Sequence, residues 1–530
     1  MRFLILLIVS ILLIHSSPAQ AQRPGGPPPE AFEVCKGKAA NGACSFQAPH
    51  GTIRGTCLSI SQGLVCAPGQ RPGQSFGQRP SGGNRPNRNI GKVQDDRFDI
   101  KQSGNRRSQP TSTRPAGKDT GAPDNKLLGS TYKVADTGQS ACYDASSNPK
   151  MWNCPKPGGE FYGQDAQYSN NPPRYTDNRN DTISDLVTGL TWQKTFQSNV
   201  AWSNAPALAT RATTGGHTDW RVPTIKELYS LMNFNGATGR APPTQSEPPS
   251  DAVPYINTRY FSFEYPSSSG GRFIDAQYIT STAYKGNAMG NAAFFGVNFA
   301  DGRIKGYPQR GRRNGRGWYL RLVRGNPNYG RNNFRDDGNG AVTDQATELT
   351  WMQADSGHSE LRSLLKKSQY SDGRMNWSEA LAYCENLSHA GSGNWRLPNA
   401  KELQSLLDYS RSPQSTGSAA LNPLFQATRF TDEAGKPNYP GYWSSTTHLD
   451  GRDPGDHAVV VFFGEALGAP SFGPPGRGNQ GGSIIDVHGA GAQRSDPKAG
   501  NPNDYPKSGQ GPQGDVVRVF NYVRCVRDAG

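Results

Sequence analysis

The sequence predicts an α+β protein in which two tandem copies of one domain make up most of the 530 residues. The first observation is a phrase that occurs twice, DWRVPTIKEL at 219–228 and NWRLPNAKEL at 394–403. The second is that three other landmarks recur around it in the same order. The third is that the remaining sequence consists of short strand-like runs between Gly, Pro and Asn, which indicates much irregular loop.

Four matched segments define the repeat. They are DTISDLVTGLTW (181–192) with GAVTDQATELTW (340–351), 202–231 with 377–406, YITST (278–282) with YWSST (442–446), and YLRLVR (319–324) with YVRCVR (522–527). The second pair aligns at a constant offset of 175 without a gap. Offsets differ between the landmarks, so the length differences fall in loops, such as an insert at 353–373. We therefore predict copies at 131–325 and 326–530.

The N-terminal residues predict export. Arg2, an apolar run at 3–14 and Ala19-Gln20-Ala21 have the pattern of a signal peptide, which we assign to residues 1–21. The run is too short to span a bilayer, and no later segment is apolar enough, so we expect no membrane insertion after cleavage. We expect a bacterial protein that is secreted, at the cell surface or in the periplasm.

Two small segments separate the signal from the copies. After a Pro/Gly-rich tether (22–34), Cys35, Cys44, Cys57 and Cys66 mark a module at 35–66 that is too short to fold without disulfides, although their pairing stays open. Residues 67–130 contain 12 Lys and Arg against five Asp and almost nothing apolar, which predicts a disordered basic linker. Such a linker either attracts anionic polymers or provides only solvation and reach.

The repeat alignment predicts a disulfide in the second copy. Cys384 aligns with Ala209 and Cys525 with Leu322, so one copy has both cysteines and the other has neither. Two cysteines that form a disulfide are expected to be present together or absent together, so we predict the disulfide Cys384–Cys525. Because Cys142 and Cys154 lie close together ahead of the first copy, we expect them to pair locally.

The repeated phrase has the pattern of a strand end, a proline and a capped helix. Pro223 and Pro398 end the strand, and Thr224-Ile-Lys-Glu and Asn399-Ala-Lys-Glu are capping boxes. Asn376-Trp-Ser-Glu is a third capping box at the start of the preceding helix. In the first copy Pro206 falls inside that helix, so it should start later, with Asn204 as its cap.

These motifs resemble known domains. The segments WSEALAYCENL, NWRLPNAKEL, YWSST and YVRCVRD resemble the C-type-lectin-like and formylglycine-generating superfamily, which implies tandem C-type-lectin-like domains. The order TGLTW then WR[VL]PxxKEL is more similar to the Lcl C-terminal family, the C-terminal domain of Legionella collagen-like adhesins. The resemblance covers both copies and implies an exported adhesin-like protein, trimerisation and glycosaminoglycan binding. This chain has no Gly-x-y stalk, a departure that bears on trimerisation and adhesion.

Neither catalysis nor a cofactor is indicated. The chain has no HExxH, GxSxG or P-loop, and no two His residues align between the copies, so we expect no enzyme and no cofactor. One Asx-rich loop in each copy has oxygen ligands at alternating positions, but the spacing differs from that of an EF-hand. A turn that starts a strand explains the same residues better, so they are weak metal candidates: Asp177, Asn180 and Asp185, with Asp336, Asn339 and Asp344.

The basic segment RIKGYPQRGRRNGRGWYLRLVR (303–324) is the strongest binding candidate. Arginine forks pair with sulfate, phosphate or carboxylate, and aromatic faces stack on sugars; a solvated basic loop is an equally good explanation. The predicted ligand residues are Arg310, Arg312, Arg313, Arg316 and Trp318. Six tryptophans at matched positions are interpreted as core anchors rather than sugar platforms: Trp192, Trp202, Trp220, Trp351, Trp377 and Trp395.

The function predicted from the sequence is therefore that of an exported bacterial binding protein. The expected partner is an anionic polysaccharide or cell-surface glycan, not nucleic acid, and the resemblance adds a homo-oligomer as a further expectation. The alternative is a structural or assembly protein of the envelope whose domains make protein contacts.

Overall fold

A computed structural model describes residues 29–40, 42–48, 51–60 and 63–68, and then residues 131–529 with gaps at 147–148, 241, 243, 267–270, 312–316, 363–369, 452, 471–482 and 506–512. The chain divides into two compact units with a boundary after Pro115. The predicted signal peptide and nearly all of the predicted linker lie outside the described residues.

The first unit is a small disulfide-bonded sheet. Helix α1 (Pro29–Glu33) precedes the antiparallel strands β1 (Ala43–Ala48), β2 (Gly51–Ile60) and β3 (Gly63–Pro68), in the order β1-β2-β3. The disulfides Cys35–Cys57 and Cys44–Cys66 settle the pairing that the sequence left open. The module extends to Pro29, beyond the predicted 35–66, because Ala31 of α1 packs into the same core as the cysteines.

The second unit contains both copies. The first copy contains the following elements: β4 (Tyr175–Asp177), β5 (Thr182–Asp185), β6 (Leu190–Gln193), β7 (Gln197–Val200), α2 (Ala205–Arg211), α3 (Ile225–Tyr229), β8 (Gln277–Ala288), β9 (Asn291–Asn298), β10 (Arg303–Pro308), β11 (Trp318–Leu320) and β12 (Val323–Gly325). The second copy contains the following elements: β13 (Phe334–Asp336), β14 (Ala341–Asp344), β15 (Leu349–Met352), α4 (Ser359–Arg362), α5 (Trp377–Glu385), α6 (Ala400–Ser405), α7 (Pro413–Thr416), β16 (Phe430–Thr431), β17 (Pro437–Asn438), β18 (Gly441–His448), β19 (His457–Phe462), β20 (Leu467–Gly468), β21 (Ile485–Asp486), β22 (Gln493–Pro497) and β23 (Val526–Asp528). The described part is thus mixed helix and sheet with few, short helices, and the predicted α+β class is confirmed at that level.

The two copies share one eight-stranded sheet. Its order is β18-β19-β22-β10-β9-β8-β11-β7, and the copies meet where β10 pairs antiparallel with β22 at Ile304 and Gln493. On either side of this contact β9 and β8 match β19 and β18, so an approximate two-fold axis relates the copies. The sheet is therefore continuous across the predicted boundary at residue 325.

Each copy also closes on itself through a smaller sheet. The order is β12-β6-β5-β4 in the first copy and β13-β14-β15-β23 in the second. The last strand pairs with the TGLTW-type strand in both copies, with Val323 opposite Trp192 and Val526 opposite Trp351. The end of each copy is thereby held beside its beginning.

The predicted capping boxes and disulfides occur in the structure. Thr224, Asn376 and Asn399 each accept a hydrogen bond from the backbone of the Glu three residues on, and that Glu side chain accepts from the cap backbone in return. Asn204 occupies the N-cap position of α2, but its side chain makes no capping bond. Disulfides join Cys384 to Cys525 and Cys142 to Cys154.

Replacing Cys384 by Ala and Cys525 by Leu, the residues of the first copy, should lower the free energy of unfolding by about 5 kcal/mol. The disulfide spans 141 residues, and closing so long a loop constrains the unfolded chain strongly. Chemical denaturation followed by tryptophan fluorescence measures the change. The control, Cys142→Ser with Cys154→Ser, opens a 12-residue span and should cost about 3 kcal/mol, so an equal cost for both would contradict the loop-length explanation.

Candidate binding groove between the two copies

The Arg and Glu of the repeated phrase form an ion pair in each copy, which is buried in the second copy and has a partly exposed arginine in the first. Arg396 donates two parallel hydrogen bonds to Glu402, at 2.7 and 2.8 Å, whereas Arg221 donates one hydrogen bond to Glu227. The same glutamates complete the capping boxes of α6 and α3. Since each carboxylate is already held by a helix N-terminus and a guanidinium, these residues hold the scaffold together rather than offer reactive groups.

A second pair of arginines, which the sequence analysis did not single out, is also buried in the scaffold. Arg321 and Arg524 occupy matched positions and are fully buried. Each guanidinium donates to backbone carbonyls after the TGLTW-type strand, at 2.5–2.7 Å, and lies over two aromatic rings. The carbonyls belong to Gln193, Lys194, Met352 and Gln353. The arginine of YLR and YVR therefore ties the last strand of each copy to its first hairpin.

The lysines of the repeated phrase connect the two copies. Lys226 of α3 donates to the carbonyl of Ser405 at 2.6 Å, and Lys401 of α6 donates to the carbonyl of Ser230 at 2.7 Å. Each lysine thus caps the C-terminal end of the other copy's helix, where free carbonyls favour a cation. Burial lowers the pKa of both ammonium groups to about 8, although nearby carboxylates oppose the shift.

In the second copy, the start of α6 is covered by a segment that precedes the first matched landmark of the chain. Asp165 of this segment is buried, and its carboxylate accepts a hydrogen bond from Thr446 Oγ1 at 2.5 Å. Burial raises the pKa of Asp165 to about 7. Three residues on, the ring of Tyr168 lies over the guanidinium of Arg396 at 5.5 Å. Arg396, Asn399 and Thr446 are therefore buried where this segment packs against the second copy.

In the first copy the matching residues line an open groove of about 610 Å³. Thr282 is partly exposed where its counterpart Thr446 is 0 % exposed, and Thr224 is exposed where Asn399 is only 6 % exposed. The side chain of Arg221 is 34 % exposed, against 7 % for Arg396. Equivalent positions are thus covered in one copy and accessible in the other.

The remaining walls of the groove come from the connector between the copies and from the second copy. They combine aromatic rings with charged groups: Tyr329, Phe334, Tyr409, Arg331 and Asp408. The Arg331 side chain is exposed at the rim.

Another cavity of about 600 Å³ has a more acidic lining that includes Glu348, Glu402 and Asp528, so it is less suited to anions.

The sequence-predicted arginine loop is only partly described. Arg310 follows β10 and is exposed, whereas Arg312, Arg313 and Arg316 lie outside the described residues. Trp318 is only 3 % exposed and packs against Phe294 and Tyr307. Trp318 thus has the surroundings of a core ring, and its predicted ligand contact stays a prediction.

The Asx-rich loops have the hydrogen bonds of turns. Asp177 and Asp336 accept from the backbone two residues on, and Asn339 accepts from the nitrogen of Ala341. In the same loops Asn180 accepts a hydrogen bond from the hydroxyl of Thr182. The carboxylates of Asp185 and Asp344 accept hydrogen bonds from backbone N–H groups two or three residues further on. Within the described ranges, the one group of three His, Cys, Asp or Glu side chains close enough to share an ion is Cys35, Cys44 and Cys66, and all three are in disulfides.

The matched tryptophans are core residues. Five of the six are at most 4 % exposed: Trp192, Trp220, Trp351, Trp377 and Trp395. The sixth, Trp202, is partly buried and stacks on Phe294 with ring centroids 5.7 Å apart. The interpretation of these rings as core anchors is confirmed for the five buried tryptophans.

Comparison with known families agrees with the repeat. The Lcl C-terminal domain matches residues 181–324 and 340–478, which together are more than half of the chain. The chain belongs to the Lcl C-terminal domain family. Comparisons with curated proteins and with solved structures gave no match.

The second Lcl copy extends structurally beyond the matched residues. Arg524 and Cys525 lie after residue 478, but both contact residues inside the match: Arg524 donates to the carbonyl of Met352, and Cys525 is bonded to Cys384.

No helix in the described parts of the chain has the length and apolar character needed to cross a membrane.

The sequence contained a signal for part of the groove. Lys226 and Lys401 recur at the same place in the two Lcl copies, and a duplicated buried lysine indicates a shared contact. Nothing in the repeat distinguishes the covered groove from the open one, because the covering segment, which includes Asp165, precedes the first matched landmark.

Replacing Lys401 by Met should destabilise the protein more at pH 9.5 than at pH 7.5. The folded-state pKa of about 8 lies below the ordinary 10.5, so the unfolded chain binds more protons between these values. Wild-type stability therefore rises with pH in this window relative to the variant, by up to about 1.4 kcal/mol per pH unit. Denaturant midpoints across the pH range measure the difference, with the exposed Lys436→Met as control. If the stability difference between the wild type and the variant became smaller as the pH rises, the lowered pKa of Lys401 would be refuted.

Proposed function

We propose that this protein is a surface-exposed, adhesin-like bacterial protein that binds anionic polysaccharides. Its membership of a family named after an adhesin domain supports the adhesin-like role. The formal net charge of +14 supports an anionic partner, because a basic surface raises the local concentration of polyanions. Export by the signal peptide at 1–21 belongs to the same proposal.

The observation that carries the proposal is the arginine-rich segment between β10 and β11. Both strands belong to the eight-stranded sheet, and both ends of the segment are bonded to neighbouring strands. Gln309 donates its backbone N–H to the carbonyl of Ala292 at 3.0 Å, and Gly317 donates to Asn199 Oδ1 at 2.7 Å. The described ends of a segment with four arginines are thus bonded to the sheet, and guanidinium forks suit sulfate and carboxylate groups.

Two further elements of the proposal follow from the fold. We propose that the Lcl copies are C-type-lectin-like, which is supported by the helix-to-last-strand disulfide and by the pairing of each copy's ends. We also propose a binding role rather than catalysis, since the polar residues that the copies share are engaged in scaffold contacts. Assembly into trimers is implied by the family resemblance alone.

A second candidate function is that of an envelope protein that makes protein contacts. The specific observation in its favour is the covered groove of the second copy, in which one peptide segment already occupies an Lcl surface. High salt separates the candidates, since screening weakens polysaccharide binding far more than a packed interface.

Replacing Arg310, Arg312, Arg313 and Arg316 by Ala should weaken heparin binding by at least about tenfold at low salt, because four charge-assisted contacts are lost together. Surface plasmon resonance on immobilised heparin, repeated at rising salt, measures the loss. The matched control replaces four exposed arginines elsewhere, Arg174, Arg211, Arg259 and Arg429. Equal loss in both variants would show that only net charge matters, and no binding by the wild type would overturn the proposal.

A further inference from the structure

We propose that the open groove of the first copy binds a peptide segment that carries an acidic side chain followed three residues later by an aromatic ring. The second copy binds such a segment from within the chain, at Asp165 and Tyr168. The inference concerns a different surface and a different class of ligand from the arginine-rich segment and its polysaccharide.

The hydroxyl that meets the acid is present in both copies. Thr282 Oγ1 accepts the backbone N–H of Ile225 at 3.0 Å, and Thr446 Oγ1 accepts that of Ala400 at 2.9 Å. The two hydroxyls therefore hold the same place at the start of α3 and α6. In the second copy the hydroxyl donates to Asp165, whereas no carboxylate in the described part of the chain receives the hydroxyl of Thr282 in the first.

The cations that flank the hydroxyl are also matched. Lys226 is the counterpart of Lys401, and Arg221 is the counterpart of Arg396. In the second copy the guanidinium of Arg396 lies beneath the ring of Tyr168. Among the described residues no aromatic ring lies over the guanidinium of Arg221, which lines the groove. Arg331, which lines the first copy's groove, adds a positive charge at the rim, so the groove favours a ligand that brings an acid and an aromatic ring.

The short connector between the copies explains why the groove is open. In the second copy Lys401 donates to the carbonyl of Asp136, and the chain then continues through residues 137–171 across the groove. In the first copy the carbonyl of Gly330 takes that role, but β13 begins at Phe334. The connector therefore accepts a hydrogen bond from Lys226, but it ends before it can cover Thr282.

A peptide suits the groove better than a sugar for two reasons. The covered counterpart is occupied by polypeptide, whose aromatic ring and carboxylate lie three residues apart on one face of a 3₁₀ turn at Asp165–Gln167. The volume of about 610 Å³ accommodates a few side chains, and the walls offer the rings of Tyr329, Phe334 and Tyr409 for apolar contact.

The test uses the full chain and a capped, fluorescent peptide with the sequence of residues 162–170, YGQDAQYSN. Fluorescence anisotropy should show saturable binding to one site. Peptides with Asn in place of Asp165 or Ala in place of Tyr168 should bind at least about tenfold more weakly. No saturable binding, or equal binding of the altered peptides, would overturn the proposal.

The protein variants locate the site. Arg331→Glu should weaken peptide binding about tenfold, because it reverses the charge at the rim while leaving the buried network intact. Arg211→Glu, an equal charge change on the exposed end of α2, should bind as the wild type does. If both variants bind the peptide equally, the groove is not the site.

Hydrogen exchange separates this inference from the polysaccharide proposal. The peptide should protect the amides of 221–229 and 327–334, and it should do so equally in the variant that lacks the four loop arginines. Protection of those amides by glucuronate but not by the peptide would identify a sugar subsite and refute the peptide assignment.

Discussion

The architecture of the second unit depends on one contact that is made twice, the hydrogen bond from each KEL lysine to the end of the other copy's helix. A buried ammonium without acceptors would cost several kcal/mol, and here each lysine finds carbonyls that its own copy lacks. Each helix end, in turn, has free carbonyls that the other copy's lysine satisfies. Neither copy can therefore present a complete buried surface alone, which agrees with their joint eight-stranded sheet.

This constraint separates scaffold from recognition. The residues that the two Lcl copies share are engaged in caps, ion pairs and inter-copy contacts, so they are held in place in both copies. We propose that recognition depends on the positions at which the copies differ. These are the arginine-rich segment between β10 and β11, and the groove above α3, which lacks the cover that Asp165 and Tyr168 provide over α6.

Local features of the fold could be predicted from the sequence. The capping boxes at Thr224, Asn376 and Asn399 depend on residues three apart, and the Cys384–Cys525 pair on a comparison of the copies. The shared sheet could not be predicted, because its central pairing of β10 with β22 joins distant strands and leaves no periodic signal. The repeat alignment located the phrase that lines the groove, but not which copy is open.

The role of Trp318 shows the limit of composition as a guide to a site. It follows an arginine-rich segment in the sequence, yet its ring lies in a core cluster with residues of distant strands. Burial depends on long-range packing, and a single aromatic residue beside a basic loop is equally compatible with core and surface. The same limit applies to Asp165, whose partner is 281 residues away.

That separation also orders events during folding. Asp165 is synthesised long before Thr446, and Tyr143 long before Lys498, whose ammonium donates to the carbonyl of Tyr143 across 355 residues. The covering segment therefore lacks these partners until almost the whole chain has been synthesised. Contacts of such high sequence separation slow folding, because the loop entropy is lost before the contacts compensate for it. We therefore expect the contacts of this segment with the second copy to form late in folding.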